Sequence, residues 1–324
     1  MKRSGGPLTV AKARALTAPV IAKKHVSPRV AKATHRNVGV ARRQLAARYR
    51  AEIDHEIKHY EATYALLKKR GIAGAPAFAE RLAPLRILAE GDSWFRYPLN
   101  GGGVIHRLQK TIGIPILNLA TPGDEVRYML GAKERKDLES VLHKAKTKGE
   151  PFDVLLFSGG GNDIVGDAMC LWVKTWDPAQ TPAAHLDTVR FGKILGVVQA
   201  AYEDLLATLK DVSPSTRVFV HEYDFALPTG KGVCFHGPWL KPSLDYRGFP
   251  ALAQRAALVK EMLLQFKALI TQLAVRPNVT LIPTQGTLTA RQWANELHPT
   301  PAGFDAITLK FRSALKAAFP GRIA

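Results

Sequence analysis

Between residues 84 and 324, short apolar runs alternate with helical patterns, and this alternation limits the possible folds more than any other feature. The runs are Arg86–Ala89, Pro115–Leu119, Val154–Phe157, Val218–Glu222 and Val279–Ile282. Helical periodicity lies near 102–112, 124–148, 190–211, 249–274 and 302–318. Strands that alternate with helices predict a parallel sheet with helices on both faces. The strands are almost continuously apolar, which suits burial on both sides. The connections at 166–189 and 224–248 are longer than usual, and long connections in such folds build or cover sites.

The first 50 residues are of a different kind. They hold 13 basic residues and no acidic one, whereas the remaining chain carries a net charge of only +6 out of the total +19. Residues 1–38 space Lys and Arg among Ala, Val, Thr and three prolines, with no aromatic residue. Such a segment buries too little apolar surface to offset its chain entropy and reads as a disordered basic arm. Two uses are open for it: a solvated tail, or attraction to a polyanion or an anionic membrane surface. It has neither aromatic interleaving nor a nucleic-acid-binding motif.

No signal-peptide apolar core is present, so the reading is cytoplasmic, or exported without a Sec signal; an organellar transit peptide is a lesser alternative. No run nears the ~18 apolar residues of a membrane span. Residues 39–83 read as a helical extension, with Leu45, Tyr49, Ile53, Ile57, Tyr60, Tyr64 and Leu67 forming one stripe. This stripe is expected to pack on the 84–324 domain. Cys170 and Cys234, the two cysteines, fall in the two long connections. They are read as free thiols, with a disulfide between them as the alternative.

Three segments carry chemistry. Glu90-Gly91-Asp92-Ser93-Trp94-Phe95 follows the first strand, Ser158-Gly159-Gly160-Gly161-Asn162-Asp163 follows the third, and Asn295-Glu296-Leu297-His298-Pro299 precedes the last helix. All three are expected at the carboxyl edge of the sheet, where open α/β folds bind ligands. A serine becomes nucleophilic when an adjacent base takes its proton, and His298 is the side chain suited to that at neutral pH. Asn162 offers amide donors for a developing oxyanion.

In this order the segments resemble the SGNH, or GDSL, serine esterase/lipase family. Gly91-Asp92-Ser93-Trp94 is similar to the first family block, with Trp94 where Leu is usual. Asn118-Leu119-Ala120-Thr121-Pro122-Gly123 resembles the second, Gly160-Gly161-Asn162-Asp163 the third, and His298 the fifth. The resemblance covers residues 84–318 and implies a flavodoxin-like three-layer α/β/α fold with about five parallel strands. It implies hydrolysis of lipid, short acyl or O-acetyl esters through an acyl-enzyme, with Ser93 as nucleophile and His298 as base. Ser93, Gly123 and Asn162 would form the oxyanion hole, and no cofactor or metal is implied.

One position departs from the family. An Asp is usual three residues before the histidine, and this chain has Asn295. In a serine protease the corresponding change lowers turnover about 10⁴-fold by favouring the wrong tautomer. Asn295 orients His298, or Glu296 or another acid replaces the Asp, or a Ser93–His298 dyad uses a backbone carbonyl. A decayed site, in a binding protein that acts through its basic arm, is the contrasting function. His221 and Glu222 are read as structural more readily than as site residues, and Trp94, Phe95 and Tyr97 as core packing. Asp92 and Asp163 are expected to bond the loops together rather than to hold a metal. Gly237-Pro238-Trp239-Leu240 is a candidate wall of the pocket.

Overall fold

The structure is a computed structural model and describes residues 51–69, 83–99, 101–233 and 237–323. The basic arm and Cys234 therefore lie outside the described residues, as does most of 39–83. The chain divides after His59 into two units, and the second, from Tyr60 onward, holds the sheet and the site. Helix α1 covers 51–69.

The sheet has five parallel strands: β1 (Ile87–Gly91), β2 (Ile116–Asn118), β3 (Val154–Ser158), β4 (Arg217–His221) and β5 (Val279–Ile282). Their spatial order is β2-β1-β3-β4-β5. The parallel sheet is the one the alternation predicts, and its order is the flavodoxin-like one that the family resemblance implies. Every residue of β1 and β3 is buried, which is why these strands read as unbroken apolar runs.

The helices are α2 (Val104–Ile112), α3 (Val126–Met129), α4 (Arg135–Thr147), α5 (Thr188–Val212), α6 (Lys241–Tyr246), α7 (Leu252–Leu273) and α8 (Pro301–Ala318). Helix α2 packs on α8, while α5 packs on α4 and α7. Right-handed crossovers put these groups on opposite faces: the chain moves outward from β1 to β2, then reverses direction to reach β3. The pattern at 124–148 is two helices rather than one. A Cβ at Gly131 would stand 2.7 Å from the Arg127 carbonyl oxygen, and this tight turn separates α3 from α4.

Tyr60 and Tyr64 of α1 meet Phe152 and the guanidinium of Arg86 just before β1. The Arg86 side chain is almost wholly buried against these rings, while its two terminal nitrogens pair with Glu61 at 2.8 Å and Glu150 at 3.1 Å. Tyr60 and Tyr64 of the stripe thus pack at the amino edge of the sheet, the end opposite the site.

The long connections close on each other over the carboxyl edge. Gly166 N–H donates to the Trp239 carbonyl, and Ser243 Oγ donates to the carbonyls of Gly166 and Asp167. Arg247 reaches the Cys170 carbonyl, and Trp176 N–H donates to the Arg247 carbonyl.

Candidate active site

The reversal of strand order between β1 and β3 opens a crevice at their carboxyl ends, and Ser93 sits on its β1 side. Gly91 ends β1 hard against β3: a Cβ there would fall 2.6 Å from the Ser158 carbonyl oxygen. The next turn is held by Asp92. Its carbonyl accepts the N–H groups of Phe95 and Arg96, and its carboxylate accepts the Trp94 N–H at 2.9 Å. Ser93 is thereby presented at the apex.

His298 comes from the loop ahead of α8. Its Nε2 lies 2.7 Å from Ser93 Oγ, across 205 residues of sequence. Its Nδ1 lies 3.0 Å from Asn295 Oδ1. The same Oδ1 accepts the backbone N–H groups of Leu297 and His298. Asn295 Nδ2 donates to the Tyr97 hydroxyl at 3.3 Å. Both ends of the amide are therefore committed, and its oxygen faces the imidazole. Nδ1 then bears the proton, and Nε2 is left to accept from Ser93. Tyr97 also stacks on the imidazole, with ring centres 4.6 Å apart. The Trp94 indole N–H donates to the Leu297 carbonyl and ties the serine turn to the histidine loop. Burial pushes the His298 imidazole down to about 4, so it is neutral across the physiological range.

Glu296 is not near this chain of bonds. Fully buried, it accepts four backbone N–H groups: Gly230 and Lys241 on Oε1, Trp239 and Leu240 on Oε2. It anchors Gly230 and residues 239–241, and the Trp239 ring lies 5.6 Å from that of His298. The histidine's orienting contact is thus an amide oxygen, with the neighbouring acid used to hold a loop.

The remaining candidates come from the turns after β2 and β3. Gly123 has φ 89° in the turn after β2, a left-handed conformation that a side chain would strain. Asn162 opens the short 3₁₀ turn after β3, and one hydrogen of its Nδ2 is fixed on the Asp124 carbonyl at 2.9 Å. Its second hydrogen remains for a ligand. Asp163 accepts the Val126 N–H, a second tie between the same two loops. Asp92 and Asp163 both serve to bond loops together.

Beneath Ser93 lies a second serine–histidine pair. His221 Nε2 is 2.8 Å from Ser158 Oγ, and Ser158 Oγ is 3.0 Å from Asp92 Oδ1. The Tyr223 N–H donates to His221 Nδ1, so the proton must be on Nε2, and His221 donates to Ser158. Ser158 in turn donates to Asp92, which also receives the Tyr223 hydroxyl at 2.6 Å. The polarity is the reverse of a nucleophile with its base, and both residues are buried. Burial takes His221 down to about 3 and raises Asp92 to about 6. This is a structural network that fixes the serine turn. Glu222 is likewise structural: buried, it pairs with Lys267 at 3.2 Å.

A narrow cleft extends from Ser93 and Asn162 along α7. Trp94 forms part of its wall and so both packs the core and lines the site. Sequence reasoning read Tyr97 chiefly as core packing, with a shared role in the site open to one of Trp94, Phe95 and Tyr97. Nothing in the sequence links Tyr97 to Asn295, which lies 198 residues away.

The sheet order and the serine turn at its switch point define a flavodoxin-like α/β protein with a serine-centred site. Residues 87–306 match the GDSL-like Lipase/Acylhydrolase family, and the chain belongs to that family, whose members are lipases and esterases. Among solved structures, a lipase from a goat rumen metagenome is 15% identical; the match covers 71% of this chain and 97% of that one, with a TM-score of 0.45. An extracellular lipase from Streptomyces rimosus is 16% identical, covering 71% and 99%, with a TM-score of 0.45. An acetyl xylan esterase from Butyrivibrio proteoclasticus is 13% identical, covering 72% and 64%, with a TM-score of 0.39. Comparison with curated proteins finds no match.

Proposed function

We propose that the protein hydrolyses carboxylic esters through an acyl-enzyme on Ser93. The observation that carries this reading is the 2.7 Å contact between Ser93 Oγ and His298 Nε2, with an amide oxygen on the far nitrogen. His298 takes the Ser93 proton as Oγ attacks the ester carbonyl, and the carbonyl π electrons move to oxygen. The Ser93 and Gly123 N–H groups and the second Asn162 Nδ2 hydrogen stabilise that oxyanion. A donor of this kind is worth roughly 3 kcal/mol. Collapse expels the alcohol, which receives the proton from His298. A water then repeats the sequence on the acyl-enzyme and releases the acid.

Asn295 supplies orientation without charge. In the serine protease case, the loss follows from an asparagine that favours the wrong imidazole tautomer. Here the Leu297 and His298 N–H groups hold the amide oxygen toward Nδ1 while the Tyr97 hydroxyl takes up the NH₂, which supports a working site.

The test is labelling with a fluorophosphonate probe, alongside hydrolysis of a p-nitrophenyl ester series, for wild type and Ser93→Ala. Labelling and turnover confined to the wild type are expected. A folded wild type that takes no label and turns over no ester would overturn the reading in favour of a decayed, binding-only site.

A further inference from the structure

We propose that Tyr223 is a positioning residue that fixes the separation between the nucleophile turn and the oxyanion donor Asn162. This inference rests on the Ser93 reading above and adds a residue to its machinery. Ser93 and Asn162 stand on separate turns, one after β1 and one after β3. A single ester carbonyl must meet both, so the two turns need a fixed spacing. Tyr223, two residues beyond β4, touches the residue before each of them. Its hydroxyl donates to Asp92 Oδ2 at 2.6 Å, next to Ser93. Its ring carbon Cζ takes the place of a side chain on Gly161, next to Asn162: a Cβ there would fall 2.7 Å from it.

Gly161 has φ −63° and ψ −47°, a conformation open to any residue. Glycine is therefore required at this position by space, and the Tyr223 ring fills that space. At Gly160 a Cβ would meet Phe266 at 2.7 Å and Val198 at 2.9 Å. The glycine run is thus a closely pressed turn, and Tyr223 presses it from the side of the serine turn. Tyr223 itself has φ 55°, in the left-handed region that a bulky side chain rarely adopts. Its N–H donates to His221 Nδ1 at 3.2 Å, and its carbonyl accepts the Thr284 hydroxyl at 3.0 Å. The rings of Trp94 and Phe266 flank it, with centres 5.2 and 5.6 Å away. A backbone outlier pinned in this way beside a reacting centre points to preorganisation. The phenol is a strut set in place before substrate arrives, between groups whose spacing must match the tetrahedral intermediate.

The experiment measures kcat and KM on a p-nitrophenyl ester for the full-length wild type, Tyr223→Phe, Tyr223→Leu, Gly161→Ala and the Gly161→Ala/Tyr223→Leu double variant. Circular dichroism and urea midpoints report folding separately. Tyr223→Phe keeps the ring and loses the tie to Asp92. A misplacement near 1 Å can cost about 100-fold, so loss of this one tie should lower kcat about tenfold with KM within about twofold. Gly161→Ala, forced away by the ring, should lower kcat about 100-fold in the wild-type background. In the Tyr223→Leu background, where the ring is gone, the same change should cost less than about threefold. A residue that only packs the core would lower the urea midpoint and leave kcat of the folded protein unchanged.

Wild-type kcat in folded Tyr223→Phe, or an equal cost of Gly161→Ala in both backgrounds, would overturn the inference. Either arm decides by itself should a variant of the other fail to fold. The fluorophosphonate label separates this failure from that of the hydrolase reading. A labelled, active wild type with either overturning result removes the role of Tyr223 alone. An unlabelled wild type with no turnover of any ester removes it together with the hydrolase reading.

Discussion

At the residue scale, the unusual feature is an asparagine behind the histidine. A carboxylate there would favour the imidazolium. Asn295 does not, and burial has already brought His298 down to about 4. The base should therefore remain unprotonated in mild acid, and kcat/KM should hold to near pH 5 and fall with an apparent pKa of about 4. Asn295→Asp should move that acid limb upward by about 1–3 units. A pH profile of kcat/KM for the two proteins checks both statements. Tyr97→Phe removes the acceptor of the amide NH₂, while the Leu297 and His298 N–H groups still hold the amide oxygen toward Nδ1. It should therefore lower kcat by less than about tenfold, far short of the roughly 10⁴-fold loss of a fixed wrong tautomer. Steady-state kinetics would decide: a loss near 10⁴-fold would show that Tyr97 alone holds the amide.

At the element scale, Glu296 joins the histidine loop to the long connection across the site. Four backbone N–H groups converge on one buried carboxylate, which also satisfies the start of α6. Glu296→Gln places an NH₂ against some of those donors and leaves them unpaired. The expected cost is on the order of 3 kcal/mol, read as a lower urea midpoint. Hydrogen exchange should report faster opening at Gly230 and Trp239–Lys241, with β1 and β3 unaffected. Uniform loss of protection would instead mean that the segment is not a separate unit of stability.

The central strands β1 and β3 were legible in the sequence because burial on both faces leaves mostly apolar residues to mark them. The break between α3 and α4 was not, because it comes from the tight turn at Gly131, while the helical periodicity runs on through it.

At the scale of the molecule, the sheet separates stability from chemistry. Arg86 is packed among Tyr60, Tyr64 and Phe152 at the amino edge, and Ser93 lies beyond the carboxyl edge of the same strand. Arg86→Ala removes buried packing as well as two ion pairs. It should cost roughly 2–4 kcal/mol in urea unfolding and leave kcat/KM at wild-type values in the folded protein. Loss of both together would contradict the separation.

Stability should also depend on pH in two directions. Burial raises Glu90 to about 8 from its ordinary 4.5, so the folded state holds this proton more tightly than the unfolded chain. That contribution is complete below pH 4.5 and is lost as pH rises through about 8. Asp124, raised by burial and the nearby Glu134, acts in the same sense. His221 and His298 are lowered, so their contribution is present above 6.5 and is lost as pH falls toward 4 and 3. The urea midpoint should therefore fall from about pH 6 to about pH 9, and Glu90→Gln should flatten that slope.

The layered α/β fold and the family could be read from the chain before any folding was known, because strand burial and short motifs at strand ends are local properties. The same motifs placed Ser93, Gly123, Asn162 and His298 after their strands or before the last helix. What faces what was settled by tertiary contacts. Three ways of orienting His298 were open in the sequence. Asn295 faces His298 with its amide NH₂ taken up by the Tyr97 hydroxyl, and Glu296 is spent on the N–H groups of Gly230 and residues 239–241, contacts that span 55 to 198 residues. The second serine–histidine pair and the apolar cleft are likewise products of distant elements brought together. A hydrogen bond has direction and partners, and neither exists in a chain until the fold sets its atoms within about three ångströms.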